Sequence, residues 1–285
     1  MVMLGPTEGI QWPNTDYPSS EQRRMRPLVV GNWKMNGLAE QLSEIEAMAI
    51  SVKATLPSVD ALICLPATLI AQAVLMATGR IAIGGEDCSA EICGAFTGDI
   101  SAEMLMDAGA HAVIVGHSER RQQHAETDAV VAAKANAARR AGLLAIICIG
   151  ETHSQRLAGT ALSVCARQIT GSVPEGMTAS NTVIGYEPLW AIGSDEVPTH
   201  SQIMQMHAHI RACLTQRLGA EGQKVRILYG GSVKPSSADA ILRLPQVGGV
   251  LVGGASLKAA DFLAICRAAP VVPAHTPTRP KEQRR

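Results

Sequence analysis

Three polar residues fall just after β-type runs, and their types suit acid–base chemistry on an anionic substrate. Glu187 closes the β-branched and aromatic run Thr182–Tyr186 and is followed directly by Pro188. Proline donates no ladder hydrogen bond and biases its predecessor away from helix, so the strand is expected to end at that carboxylate. Trp190, Ala191, Ile192 and Gly193 then make an apolar loop start, with a glycine where the backbone turns or approaches something closely. His117 follows the run Ala112–Val115, and Lys34 follows Leu28–Gly31 with Asn32 and Trp33 in between. A cation, a tunable acid/base and a carboxylate thus arrive from three separate strand ends. Gly230, Gly231 and Ser232 follow a seventh run, and Gly253 and Gly254 follow an eighth. Backbone N–H groups at such openings can converge on an anion. Singly, each feature is ordinary: a Glu-Pro caps a surface loop, a Gly-Gly turns the chain, and a strand-end lysine is solvated. Their conjunction is what carries information.

These residues are placed by a regular alternation that starts at Pro27. Short β-type runs occur at Leu28–Gly31, Ala61–Leu65, Ile81–Gly84, Ala112–Val115, Leu144–Ile149, Thr182–Tyr186, Arg226–Tyr229 and Val250–Val252. Between them, 39–55, 128–141, 155–169 and 201–218 carry apolar residues at three- and four-residue spacing. Gly142 and Gly219 mark helix stops, and Thr152 and Ser201 mark starts. The β-type runs are continuously apolar, as parallel strands buried on both faces should be. Eight such units over about 240 residues predict an α/β protein, a single (β/α)8 barrel with eight parallel strands. A doubly wound sheet is the competing architecture. In a barrel the chemistry sits at the C-terminal strand ends, where the polar residues fall, and a phosphate is often held by the seventh and eighth loops.

Composition narrows the class further. The 285 residues carry zero formal net charge, so neither nucleic acid nor an anionic membrane is expected as partner. Aromatic content is 3% against 47% hydrophobic, a balance that suits buried strands covered by helices. Seven cysteines are scattered without a CxxC pair, which points to a reducing cytoplasm and neither a disulfide framework nor a metal site. Residues 1–26 mix Pro, Gly, Ser and charge and are expected to be a disordered extension without a signal-peptide apolar segment. Residues 27–269 form the expected barrel, and 270–285 a disordered Pro-rich basic tail.

GNWKMNG at 31–37, GAFTGDIS at 94–101, VGHSERR at 115–121, CIGE at 148–151, YEPLWAIG at 186–193, YGGSV at 229–233 and LVGGASL at 251–257 resemble the triosephosphate isomerase family. The resemblance runs from about Pro27 to Ala268, in order and at family-like spacing. It implies a TIM barrel, a cytoplasmic homodimer and the interconversion of dihydroxyacetone phosphate and glyceraldehyde 3-phosphate, with neither metal nor cofactor. By motif position, Glu187 takes the place of the base, His117 the electrophile, Lys34 the substrate-facing cation and Asn32 its neighbour. Gly193, Ser232, Gly253 and Gly254 fall on phosphate-gripping positions, and Glu119 is implied to help hold Lys34. Loop 94–100 is implied to reach a second subunit, with Asp99 facing Arg120 across the interface.

His117 precedes an expected helix start at Ser118–Glu119, whose positive end should depress the imidazole pKa. The chain departs from the family at Ser194–Pro198, where a glycine and then a lysine are more common. Glu86 stands in place of a usual glutamine and Asp99 in place of a glutamate. The resemblance also makes Met25 a candidate start of translation. Three other readings stand beside this one. An isomerase of a four-carbon ketose phosphate would use the same base and grip. An aldolase would form a Schiff base at Lys34, against which Glu119 and a phosphate argue. A non-catalytic scaffold is opposed by the joint presence of Asn32, Lys34, His117 and Glu187.

Overall fold

The computed structural model describes residues 26–55, 59–192 and 196–270. Eight strands, β1 (Leu28–Asn32), β2 (Asp60–Leu65), β3 (Ala82–Gly85), β4 (Ala112–Val115), β5 (Leu144–Ile149), β6 (Thr182–Tyr186), β7 (Arg226–Tyr229) and β8 (Gly249–Val252), follow one another around a closed barrel. Every neighbouring pair is parallel, and β1 pairs with β8 from Leu28↔Gly249 to Gly31↔Val252. Closure through that last pair excludes the doubly wound sheet. The expected strands agree with these to within a residue or two at each end.

Alternate side chains of each strand enter two separate cores. Val30, Leu62, Ile114, Ile146, Val183 and Leu251 belong to a cluster inside the barrel. Val29, Ile63, Val113, Ile147, Ile184 and Val250 belong to a larger cluster between the strands and the surrounding helices. Burying one such side chain stabilises by roughly 1.5–3 kcal/mol, more than the ~1 kcal/mol span of strand propensity. Two-sided burial therefore sets these strands and explains their unbroken apolar character.

The helices depart from the sequence reading in two places. The pattern at 155–169 is two helices, His153–Leu157 and Ala161–Ser172. Gly159 adopts φ +70 between them. Thr160 N–H donates to the Gln155 carbonyl at 2.9 Å and Gly159 N–H to that of Arg156 at 3.0 Å, a helix-ending arrangement that needs a left-handed residue. Thr152 does cap the first of them, with Gln155 reaching back to its N–H. The helix His200–Leu218 is capped by Thr199 rather than Ser201. Gln202 lies three residues after Thr199 and its side chain accepts the Thr199 N–H at 2.8 Å, whereas Met204, three after Ser201, could not do so.

Arg26 donates to the Val59 carbonyl at 3.0 Å, so the last residue before the barrel is bonded to its floor. The remainder of the expected extension and tail, with Met25, lies outside the described residues. No helix among the described residues is long and apolar enough to cross a membrane.

Candidate active site

Asn32 is the last residue of β1, and the turn after it aims Lys34 across the mouth of the barrel. Trp33 is buried and donates its indole N–H to the Ser256 carbonyl at 3.0 Å, tying this turn to the one after β8. Lys34 then adopts φ +57, a left-handed conformation that costs a non-glycine residue roughly 1–3 kcal/mol. Local hydrogen bonds hold it there. Lys34 N–H donates to Asn32 Oδ1 at 3.1 Å, Asn36 N–H to the Lys34 carbonyl at 2.8 Å, and Asn36 Nδ2 to the Trp33 carbonyl at 2.6 Å. The Lys34 ammonium reaches Glu119 Oε1 at 2.6 Å.

Glu119 belongs to the helix Ser118–Gln123, which begins directly after β4 and its Gly116 turn. His117 caps that helix: its Nδ1 accepts the Glu119 backbone N–H at 3.3 Å. A ring nitrogen that accepts a hydrogen bond carries no proton, so a neutral His117 holds its proton on Nε2. Nε2 lies 2.8 Å from Glu187 Oε1. The other carboxylate oxygen, Oε2, accepts the Ser118 backbone N–H at 3.0 Å. Both residues are buried, His117 at 5% exposure and Glu187 at 2%.

Burial and pairing compete in both groups. Burial disfavours charge on the His117 imidazole, but the adjoining Glu187 carboxylate outweighs it and holds the pKa above its ordinary value. Burial likewise pushes Glu187 up, and the imidazole with the Ser118 N–H overcomes it and holds the acid below its usual range. The expected depression of His117 is thus reversed while Glu187 stands against Nε2. Glu119 adds a smaller pull in the same direction, while burial opposes charge on the ring throughout.

The backbone of Glu187 is fixed as tightly as its side chain. Its N–H donates to the Ile149 carbonyl at 2.8 Å, and Gly230 N–H donates to the Tyr186 carbonyl at 2.7 Å. A Cβ on Gly150 would overlap the Glu187 carbonyl oxygen. Glu151, next in the chain, is fully buried and was not singled out by sequence reasoning for a role of its own. Its Oε1 accepts from Trp190 Nε1 at 2.9 Å, Arg156 Nε at 2.8 Å and the Tyr186 hydroxyl at 3.2 Å. The Arg156 guanidinium also lies 5.1 Å from the Trp190 ring centroid. The loop leaving Glu187 is therefore tethered through Trp190 to the end of β5. The available signal was an acid directly after a strand and a glycine.

Asn32, Lys34, His117 and Glu187 thus form one connected group with Glu119. Gly253 follows β8 beside Lys34, whose Cε would lie 3.7 Å from a Cβ placed there. Gly254 opens the short helix Gly254–Leu257, and Ser232 lies in the turn after β7. Gly193, Ser194 and Asp195 lie outside the described residues. A cavity of about 690 Å³ runs from Asn32, Lys34 and His117 towards Asp99, Arg120 and Lys134.

Comparison with known proteins places relatives beside this geometry. A family model described as triosephosphate isomerase matches residues 27–269. The triosephosphate isomerase of Rhodopseudomonas palustris (strain BisA53) is 57% identical over 249 residues, covering 86% of this chain and 98% of that protein. That of Afipia carboxidovorans is 59% identical over 248 residues, covering 87% and 99%. A crystal structure of triosephosphate isomerase from Bartonella henselae is similar with a TM-score of 0.80 at 49% identity, covering 85% of this chain and 98% of that one.

The Gly150 contact generates a test of how closely the Glu187 position matters. Gly150→Ala should push the end of β6 outward, and a displacement of order 1 Å at a reacting group can cost about 100-fold. We expect kcat to fall by about that factor in steady-state assays while circular dichroism shows a folded barrel. Unchanged kcat in the folded variant would mean that Gly150 does not set the position of Glu187.

Proposed function

The chain belongs to the triosephosphate isomerase family, and we propose that Glu187 is the base that moves a proton between two neighbouring carbons of the substrate. The reaction interconverts dihydroxyacetone phosphate and D-glyceraldehyde 3-phosphate through an enediolate, a step of glycolysis and gluconeogenesis. The observation that supports the residue assignment best is the His117–Glu187 contact, which sets a carboxylate and a ring N–H side by side in a dry strand-end site.

Proton removal beside a carbonyl needs a base within reach of both carbons. Glu187 stands on the stem of the loop after β6, and turning towards substrate takes it away from Ser118 N–H and from His117. Burial then acts on the carboxylate without those opposing bonds and raises its basicity. Loss of the same contact leaves His117 to burial and to the helix start, which favour the neutral ring. Its Nε2–H is then free to donate to the oxygen on which negative charge develops. Lys34 offsets the charge of the dianionic substrate, and Asn32 holds Lys34 in its left-handed turn. Backbone N–H groups at Gly193, Ser232, Gly253 and Gly254 receive the phosphate. The reaction requires no metal or cofactor for these steps. Lys34 Nζ is engaged by Glu119 Oε1 at 2.6 Å, a contact that ties up the nitrogen a Schiff base would need and so disfavours that reading. No observation favours a four-carbon substrate.

The working form is a homodimer in the cytoplasm. Phe96, Ile92 and Ile100 are exposed on the loop around 94–100, and Met35 beside Lys34 is 98% exposed. Large apolar side chains left bare in this way suit a partner surface. Gly98, Asp99 and Ile100 of that loop line the cavity beside Lys34, and a twofold interface would bring the same surface of a second copy against it. Asp99 would meet Arg120 of the second copy, with a shorter reach than glutamate. All seven cysteines are free, as a reducing cytoplasm would keep them.

Two measurements test this reading. In a coupled assay with glyceraldehyde 3-phosphate, Glu187→Gln should lose at least about 10³-fold in kcat, near the upper range of general-base contributions. Lys34→Met should be similarly impaired, and a tenth of wild-type activity in either variant would remove that residue from the site. Sedimentation velocity at assay concentration should show a dimer; a fully active monomer would refute the interface.

A further inference from the structure

Along β5 the backbone groups turn alternately to the two neighbouring strands, and the alternation continues past the end of the strand. Odd-numbered residues face β6: Ala145 N–H donates to the Asn181 carbonyl at 2.9 Å, Glu187 N–H to that of Ile149 at 2.8 Å and Leu189 N–H to that of Glu151 at 3.1 Å. Even-numbered residues face β4, where Leu144 N–H donates to the His111 carbonyl at 3.0 Å. The pairing with β4 stops at Val115↔Ile147, because the chain turns at Gly116 to start the helix that His117 caps. Beyond that point the Cys148 carbonyl and both backbone groups of Gly150 have no strand beside them. Side chains take the missing places. Arg121 spans the gap, its Nε donating to the Gly116 carbonyl at 2.8 Å and its Nη2 to that of Cys148 at 3.1 Å. One rung further, Gln168 of the helix Ala161–Ser172 meets both groups of Gly150. Gly150 N–H donates to Gln168 Oε1 at 2.8 Å, and Gln168 Nε2 donates to the Gly150 carbonyl at 3.0 Å. A side-chain amide has the donor and acceptor of a peptide group, so Gln168 stands in for the strand that has left.

We propose that Gln168 is a positioning residue for Glu187: by holding both backbone groups of Gly150 it fixes the segment against which the Glu187 main chain rests, and so the reach of the carboxylate. Gly150 is the point of contact, since a Cβ there would overlap the Glu187 carbonyl oxygen and lie 2.9 Å from the Leu189 side chain. Glycine permits that approach, but its backbone is the least constrained of any residue and it has no side chain by which to be anchored. The anchor comes from the helix behind it, which also sets the Cys165 thiol 3.9 Å from Glu151 Oε2. Without the amide, residues 149–151 are free to shift into the space that β4 vacates. Glu187 follows them, because the N–H groups of Glu187 and Leu189 are bonded to the carbonyls on either side of Gly150. The segments proposed to receive the phosphate stand on β7 and β8, so the shift reaches proton transfer and spares substrate binding.

The inference rests on Glu187 being the base, and the experiment separates the two claims. kcat and KM for glyceraldehyde 3-phosphate are measured in the wild type, Gln168→Met, Gln168→Glu and Glu187→Gln. Gln168→Met keeps the length of the side chain and removes both hydrogen bonds. Its kcat should fall at least about tenfold, a fraction of the about 100-fold that a 1 Å displacement can cost, with KM within about twofold of wild type. Gln168→Glu isolates the hydrogen bonds: ionised, it accepts the Gly150 N–H but has no donor for the carbonyl, and protonated it serves both. Its kcat relative to wild type should therefore recover as pH is lowered from 8 to 5. Nitrogen-15 shifts of His117 give a readout that a merely structural role would not move. With Glu187 drawn away from Nε2, the His117 pKa in Gln168→Met should fall from the raised position that the contact sustains. Wild-type kcat and His117 titration in a folded Gln168→Met, with Glu187→Gln impaired, would overturn the role of Gln168 and leave the base assignment standing. Should Gln168→Met not fold, a pH-independent kcat ratio in Gln168→Glu would overturn it equally, as would a raised KM at unchanged kcat in either variant. A Glu187→Gln that keeps a tenth of wild-type activity would overturn the reading of Glu187 and this inference with it.

Discussion

A carboxylate shut away from water must be met by protein groups, and the Glu187 side chain is met twice. His117 Nε2 faces one oxygen at 2.8 Å, and the Ser118 N–H donates to the other at 3.0 Å. Left uncompensated, a buried charge would cost several kcal/mol. Both partners come from consecutive residues at the end of β4, while Glu187 ends β6 on the far side of β5. Closing the barrel is what brings these ends within bonding distance. The glycines follow from the same requirement, since Gly150 leaves room for the Glu187 backbone and a Cβ on Gly230 would crowd its Cγ at 3.2 Å. Under the proposed mechanism the pairing is also provisional, because a base at Glu187 reaches a substrate carbon only by giving up both hydrogen bonds. Stability of the resting site and basicity of the working one are set by the same contacts.

Glu119 links that pair to Lys34. Its backbone N–H fixes the acceptor nitrogen of His117, and its carboxylate takes the Lys34 ammonium. One short helix therefore sets the imidazole tautomer, the direction of a cation and, through Ser118, the resting place of the Glu187 carboxylate. Glu151 plays a comparable part at the end of β5. By collecting Trp190, Arg156 and the Tyr186 hydroxyl on one oxygen, it ties the first residues of the loop beyond Glu187 to the barrel. The Glu187 carboxylate is thus bracketed by two anchored segments, one on each side of β5.

The strands were readable in the sequence because burial on both faces leaves an unbroken apolar run that no helical period imitates. Helix ends were less so: apolar spacing continues through Gly159, yet its left-handed backbone ends one helix before the next begins. The acid, imidazole and ammonium could be picked out because each lies within two residues of a strand end, where a barrel exposes its chemistry. What required the fold was any property created between strands. The direction of the His117 pKa depends on Glu187, 70 residues away in the chain, and no local feature announces that contact. Glu151 was an ordinary acid until neighbours from the next strand and its loop surrounded it. Ser232 and Gly254 follow β7 and β8 in the chain.

The central claim is that His117 works as a neutral ring with its proton on Nε2, its pKa held up only while Glu187 rests against it. Nitrogen-15 chemical shifts of His117 in Glu187→Gln, followed from pH 5 to 8, test it most directly. With the neighbouring carboxylate removed, burial and the Glu119 N–H should keep the ring neutral at pH 7, with Nδ1 shifted as an unprotonated acceptor and Nε2 as the protonated nitrogen. An imidazolium at pH 7, or a proton resident on Nδ1, would contradict the account.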